Sequence, residues 1–275
     1  MNKLTIEAGK TERQYWRDLW KYRELFYFLA WRDLLVRYKQ TVVGVGWSLI
    51  RPLLTMTVLT IVFSIFGKLP SGGAPYPLMV FCGMLPWQFF STALTECGNS
   101  LVGNSNLISK VYFPRLVVPA SSVIVSLVDF LISSSFLLIL LVWYRYTPPA
   151  NIVFLPLFVI LAFGAAFGVG LWTAALMVEY RDFRFIVPFF VQFGTYISPV
   201  GFFSGKGGIV PEKYWLLYSV NPIVGIIDGF RWSVLGGRYS LYWPAQAMAV
   251  GWVLLLISTG IWYFRRTERT FADVI

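Results

Sequence analysis

Six apolar stretches, at about residues 47–67, 77–96, 119–143, 152–178, 185–203 and 244–264, alternate with segments marked by charge, Gly/Pro or aromatic residues. About 20 apolar residues rising 1.5 Å each match a bilayer core of roughly 30 Å. The pattern predicts an all-α polytopic membrane protein with six transmembrane helices. Ahead of the first stretch, residues 22–39 place Tyr27, Trp31, Leu34, Leu35 and Tyr38 on one helical face and Arg32, Asp33 and Arg37 away from it. Aromatics set against basic residues, closing here on Lys39, suit an amphipathic helix lying in the headgroup plane.

Two further segments depart from plain loops. Residues 104–115 predict a short cytoplasmic helix, with Leu107, Ile108 and Val111 at helical spacing and Pro114 ending it. Residues 204–243 are too apolar for a simple connection, and their halves, 214–225 and 226–235, split at Asn221-Pro222, are each too short to span. Two external re-entrant or surface half-helices at about 212–237 are expected, since irregular backbone at membrane depth needs protein or water around it. The expected organisation is a cytoplasmic tail and interface helix at 1–46, a six-span domain at 47–264 and a cytoplasmic tail at 265–275. With no early apolar run, a cleavable signal peptide is not expected and the first span directs insertion.

Composition agrees: 57% of residues are hydrophobic and 13% charged, against about 25% charged in soluble domains. An ordinary soluble protein is excluded. The net charge of +10 is unevenly placed, with 16 of the 23 Lys and Arg on the side of the N-terminus, six on the other and Arg51 inside the first stretch. Basic residues gather on the cytoplasmic side of membrane proteins, so both termini are expected in the cytoplasm and the charge needs no nucleic acid to explain it. The absence of histidine removes His-based acid/base catalysis, His-ligated metal and a Ser-His-Asp triad; no metal site is expected. Cys82 and Cys97 fall in one expected helix, about 22 Å apart where a disulfide needs less than roughly 7 Å, and read as free thiols in apolar surroundings.

The chain offers no energy source of its own. Gly9-Lys10-Thr11 mimics the end of a phosphate-binding loop, but Leu4 stands where the first glycine belongs, and Ser71-Gly72-Gly73 reads as a short external turn. Ion coupling needs intramembrane ionisable groups, and these are sparse. Asp129, ten residues into the third stretch, is either protonated or met by polar partners, because an unpaired charge there costs at least about 2.5–3.5 kcal/mol. Arg51, a turn into the first stretch, can snorkel. A pairing of the two, about 9 Å apart in depth, is an open hypothesis. In the fourth stretch Gly164, Gly168 and Gly170 give small-residue spacing for close helix packing.

Four segments carry a family resemblance: RDLLVRYKQTVVGVGWSLIRP at 32–52, NSNLISKVYFPRLVVP at 104–119, EYRDFRFIVPFFVQFGTYISPVGF at 179–202 and NPIVGIIDGFR at 221–231. In this order, with six spans, they resemble the permease subunits of bacterial ABC exporters of the polysaccharide class, which export O-antigen, capsule and wall teichoic acid. The resemblance covers about residues 15 to 265. It implies a homodimer in the bacterial inner membrane on two copies of a separate cytoplasmic ATPase, which would hold ATP and Mg, this chain binding no cofactor. The substrate it implies is a lipid-linked polysaccharide. Carried across, Asn106, Leu107, Ile108, Lys110, Tyr112, Phe113 and Arg115 form the ATPase-coupling surface. Arg32, Arg37, Tyr38 and Lys39 of the interface helix touch the same partner and lipid headgroups. Glu179, Arg181, Asp182 and Arg184 form a cytoplasmic gate, and Asn221, Pro222, Asp228 and Arg231 an external one, where Asp228 and Arg231 at i, i+3 can pair.

Phe189, Phe193, Tyr196 and Phe203 follow i, i+4, i+7, i+14 in the fifth stretch, which Pro188 and Pro199 should bend. Periodicity alone lets this stripe pack on lipid or a neighbouring helix; the resemblance favours a channel lining with the first span. Three other functions compete. One is a membrane-embedded glycosyltransferase or phosphatase using Glu96, Glu179 and Asp182. Another is a proton-coupled transporter working through Asp129. The nearest is an ABC drug or lipid exporter on the same scaffold.

Overall fold

The computed structural model describes residues 12–39, 44–205, 208–236 and 239–271, and among them there is no strand. Two helices, α1 (Glu12–Lys21) and α2 (Arg23–Tyr38), lead into α3 (Gly44–Thr60), which continues as a π-helical turn over Ile61–Phe66. The long α4 (Tyr76–Gly103) and α6 (Val117–Trp143) are joined through the short α5 (Ser105–Lys110). A 3₁₀ turn at Ala150–Phe154 opens α7 (Leu155–Glu179), followed by α8 (Phe183–Ile197). The short α9 (Trp215–Tyr218) and α10 (Pro222–Leu235) precede α11 (Trp243–Thr267), which ends in a 3₁₀ turn at Glu268–Thr270.

Among the described residues four helical segments are long and apolar enough to cross a bilayer: Tyr76–Gly103, Val117–Trp143, Ala150–Glu179 and Trp243–Thr270. The chain is a multi-pass membrane protein. Two shorter apolar helices, Ile50–Phe66 and Phe183–Ile197, accompany them. Two boundaries differ from the sequence pattern. The second stretch extends beyond residue 96 to Gly103 because Glu96 is neutralised within the bundle by Arg37. The fifth stops at Ile197, not 203, because Ser198 is extended, as the residue before a proline tends to be.

The core is built around α4, the most enclosed of the long helices, which packs against α6, α7 and α10. The glycines of α7 allow this density. A Cβ on Gly168 would come within 2.7 Å of the Leu256 backbone in α11, and one on Gly170 within 2.6 Å of the Cys97 sulfur in α4. The small-residue spacing seen in the sequence therefore serves two helix contacts on two faces. Cys82 and Cys97 are free and fully buried. Gly72 and Gly73 adopt φ of +70° and +100°, the left-handed turn that glycine permits.

Candidate functional site

At one end of the bundle, Asn104 leaves helical geometry and the chain turns through α5 into α6. Ile108, Phe113 and Leu116 are buried there, in a cluster with Leu29 of α2, Leu101 of α4 and Phe271 of the tail. The opposite face of the same segment, Asn106, Ser109, Lys110, Val111 and Tyr112, is exposed. The seven residues expected to form one coupling surface thus divide. Asn106, Lys110 and Tyr112 face outward, while Leu107, Ile108 and Phe113 anchor the segment.

Arg115 belongs to the anchors. Its backbone N–H donates to Glu268 Oε1 at 2.8 Å, its guanidinium donates to the Glu268 carbonyl, and its charge lies 5.9 Å from the Phe271 ring centre. Tyr15 of α1 donates to Glu268 Oε2 at 3.1 Å and carries Arg265 over its ring at 4.6 Å. Burial and the neighbouring carboxylate push the Tyr15 phenol above its ordinary range. Phe271 is fully buried against Phe264, ring centres 5.4 Å apart. Tyr15, Glu268 and Phe271 went unrecognised in the sequence; the available signal was a lone acid among Arg265, Arg266 and Arg269.

Two of the basic residues of α2, Arg32 and Arg37, also turn inward. Arg32 donates to Asn104 Oδ1 and Asp33 Oδ1, both at 2.7 Å. Arg37 bridges Glu96 of α4 and Asp129 of α6, and the Tyr38 hydroxyl donates to the same Asp129. Lys39 alone of the four expected interface residues is exposed. Of the expected apolar face, Tyr27, Trp31 and Leu35 are exposed, Leu34 is half-buried and Tyr38 turns to Asp129, while Leu29 and Ala30 are buried.

This placement changes the orientation expected of α2. Leu29 clusters with Val117 near the start of α6, whereas Arg37 reaches Asp129 further along it. Arg37 thus brings the C-terminal end of α2 to Asp129, twelve residues into α6, on which α2 packs. A helix lying wholly across its end would not reach Asp129. The hypothesised Arg51–Asp129 pair is replaced by Arg37–Asp129. Arg51 is exposed and borders the same polar cleft of about 240 Å³, with Gln88, Thr92, Ser126 and Ser133.

Glu179, Arg181, Asp182 and Arg184 form the exposed turn between α7 and α8. None has an ion-pair partner among the described residues. On α8, Phe189, Phe193 and Tyr196 are 58%, 55% and 70% exposed, with the first two rings 5.3 Å apart. Gly194 packs that helix on Trp87, whose Nε1–H donates to Thr195 at 2.9 Å. Phe203 leaves the stripe: the helix has ended before Pro199, and the ring is buried edge-to-face on Tyr239 at 5.1 Å. On α3 and its π turn, Leu54, Val58, Ile61 and Ile65 form a second exposed apolar stripe.

At the opposite end the single-turn α9 stops at Tyr218 and α10 begins at Pro222, so the helices fall at 215–218 and 222–235 and not at the expected halves 214–225 and 226–235. Asn221 Oδ1 caps α10 by accepting from Ile223 N–H at 3.1 Å. Asp228 and Arg231 approach to 4.0 Å. Arg231, however, is no free gate residue. It is fully buried and donates to the carbonyls of Met79, Val200 and Phe202 at 3.2, 2.8 and 2.9 Å, fastening α10 to α4 and to the segment after α8.

The family described as ABC-2 type transporter matches residues 24–235 of this chain. An O-antigen export system permease protein RfbA of Myxococcus xanthus is 29% identical over 94% of this chain and 98% of its own length. One of the same name from Klebsiella pneumoniae is 26% identical over 92% and 95%.

Proposed function

The chain belongs to the ABC-2 type transporter family, and from that premise we propose that it is the transmembrane permease subunit of an ATP-driven exporter of an O-antigen-like, lipid-linked polysaccharide. A transport subunit of this kind draws its energy from a separate nucleotide-binding subunit, which would carry ATP and Mg. Relatives named as O-antigen export permeases, matched over more than nine-tenths of both chains, support the cargo. The observation that carries the mechanism is the division of residues 105–115 into a buried inner row and an exposed outer one. A chain moved by a partner's ATP cycle needs a surface that is free to be pushed yet firmly tied behind, and this segment is tied to α1, α2, α4 and the tail.

On this reading Ile50–Phe66 and Phe183–Ile197 complete six crossings, both termini lie in the cytoplasm of a bacterium, and the protein sits in the inner membrane. Two copies pair through the exposed stripes of α3 and α8 on two ATPase subunits. ATPase closure pushes Asn106, Lys110 and Tyr112; the anchored segment passes the displacement to α4 and α6, and the protomers part along the aromatic faces. Flat apolar rings hold the C–H faces of sugars weakly enough to release them, as conduction demands. No covalent chemistry acts on the glycan. Glu179, Arg181, Asp182 and Arg184 border its entrance, and α9 with α10 cover its exit. Proton coupling through Asp129 gains no support, because Arg37 and Tyr38 already engage both of its oxygens.

The test is gentle co-purification from the native membrane. A soluble ATPase is expected at one-to-one stoichiometry with the intact chain and is expected to be lost from Lys110→Glu combined with Tyr112→Ala. If the intact chain brings no ATPase, the exporter reading fails.

A further inference from the structure

The end of the bundle remote from α5 holds a second cavity, of about 80 Å³. α11 begins beside it at Trp243 and ends beside Arg115, and its 25 residues separate the two ends by about 37 Å. Trp215, Tyr218 and Tyr242 supply its aromatic walls, with Asp228, Ser204 and Ser240 as polar members.

The walls are held in place. Trp215 Nε1–H donates to the Val210 carbonyl at 3.0 Å and meets Tyr242 edge-to-face at 5.4 Å; Tyr218 donates to the Ile197 carbonyl at 2.9 Å. Trp215 and Tyr242 brace each other and Tyr218 is held through its hydroxyl, and all three residues are partly exposed. Asp228 is oriented likewise, one oxygen accepting from Ser204 at 2.6 Å and facing Arg231 at 4.0 Å. Its side chain is 25% exposed whereas Arg231 is 0% exposed, so the carboxylate is the end of that pair open to the cavity.

Fixed aromatic faces carry negative quadrupole charge that attracts polarised C–H groups. A carboxylate oxygen held by Ser204 and facing Arg231 is an acceptor, so Asp228 suits vicinal hydroxyls and sets its own oxygens against those of an anionic ligand. The volume equals the liquid share of roughly two to three waters, enough for one edge of a sugar ring and too little for a whole chain. We propose that this cavity is an exit-side subsite for one neutral or N-acylated pyranose unit. The inference rests on the exporter reading for the source of that unit, the emerging glycan. The rings pack on its C–H face and Asp228 accepts from its hydroxyls. A unit held here resists backward sliding between ATP cycles.

Saturation-transfer NMR on the full chain in lipid nanodiscs tests the proposal, with methyl α-D-mannopyranoside, methyl N-acetyl-β-D-glucosaminide and methyl β-D-glucuronide as probes. Saturable transfer at millimolar concentration is expected from at least one of the first two and none from the glucuronide. Tyr242→Ala should weaken binding about tenfold or more, a loss of at least about 1.4 kcal/mol, while Trp215→Phe, which keeps a ring, should weaken it less. Absence of saturable transfer, an equal glucuronide signal, or binding unchanged in Tyr242→Ala overturns the subsite. Co-purification of the ATPase is read on the same preparation: its presence without sugar binding removes only the subsite, and its absence removes the exporter reading.

Discussion

The backbone N–H of Arg115 donates to the carboxylate of Glu268 at 2.8 Å, across 153 residues of sequence. That bond ties the segment after α5 to the end of α11, and Tyr15 adds α1 to the same carboxylate. The arrangement makes Glu268 and Phe271 positioning residues for the outward face at Lys110 and Tyr112. Glu268→Ala should leave the ATPase bound but reduce export per ATP hydrolysed by severalfold, with Glu268→Gln retaining part of it. Export and hydrolysis measured together in proteoliposomes check this; parallel losses of both would point to simple unfolding.

Arg115→Glu is expected to behave unlike Lys110→Glu. It places an acid against Glu268 and removes the guanidinium from Phe271. Like charges forced together in a partly buried site destabilise the fold, so Arg115→Glu should lower the thermal midpoint of the detergent-solubilised chain. Lys110→Glu, on an exposed position, should leave that midpoint unchanged. Equal midpoints for the two variants would contradict the division of the segment into anchors and face.

Arg37, Glu96 and Asp129 join three helices through one guanidinium. Residues sharing such a network couple by about 0.5–3 kcal/mol in double-mutant cycles. Arg37→Gln and Asp129→Asn should therefore be strongly non-additive in unfolding free energy. Arg51→Gln with Asp129→Asn should be close to additive, since Arg51 borders the cleft without an ion pair among the described residues. The opposite ranking would restore the Arg51–Asp129 pair.

Much of the helical layout is legible in the apolar stretches, because a bilayer demands long uninterrupted segments and internally satisfied backbone. The i, i+3 relation of Asp228 and Arg231 and the break at Asn221-Pro222 are local and could be read as such. The partners of Arg37 could not. Amphipathic spacing says which residues share a face, but the same basic face serves a headgroup, a protein partner or a buried carboxylate, and only tertiary packing selects among them. Arg231 misleads for a related reason: its i, i+3 acid is visible in sequence, whereas the three carbonyls that bury it are not. Phe203 fits a helical period whose helix has already stopped at Pro199.

Arg231 offers a sharp test of how α10 is held. Gly83 lies beneath its guanidinium, and a Cβ at that position would press on Arg231 and come within 2.8 Å of the Val200 carbonyl. Gly83→Ala should therefore displace the guanidinium and loosen α10. Arg231→Leu should be worse, because it strands the three carbonyls and Asp228, each unsatisfied group costing about 1–3 kcal/mol. Thermal unfolding in detergent and hydrogen exchange over residues 222–235 would register both. A Gly83→Ala chain with native exchange in that helix would show that Arg231 does not secure it.

The aromatic stripe separates into two kinds of position that mutation should distinguish. Phe189, Phe193 and Tyr196 are exposed on the chain, so Phe193→Ala with Tyr196→Ala removes surface from a partner copy or a passing glycan without opening a cavity in the bundle. Folding and ATPase association should persist while export falls about tenfold or more. Phe203 is 5% exposed and packs on Tyr239, and truncating a buried phenylalanine costs about 3–5 kcal/mol. Phe203→Ala should lower the thermal midpoint before any effect on transport can be read. Normal export by the Phe193/Tyr196 double variant would remove the stripe from the glycan path and leave lipid as its neighbour.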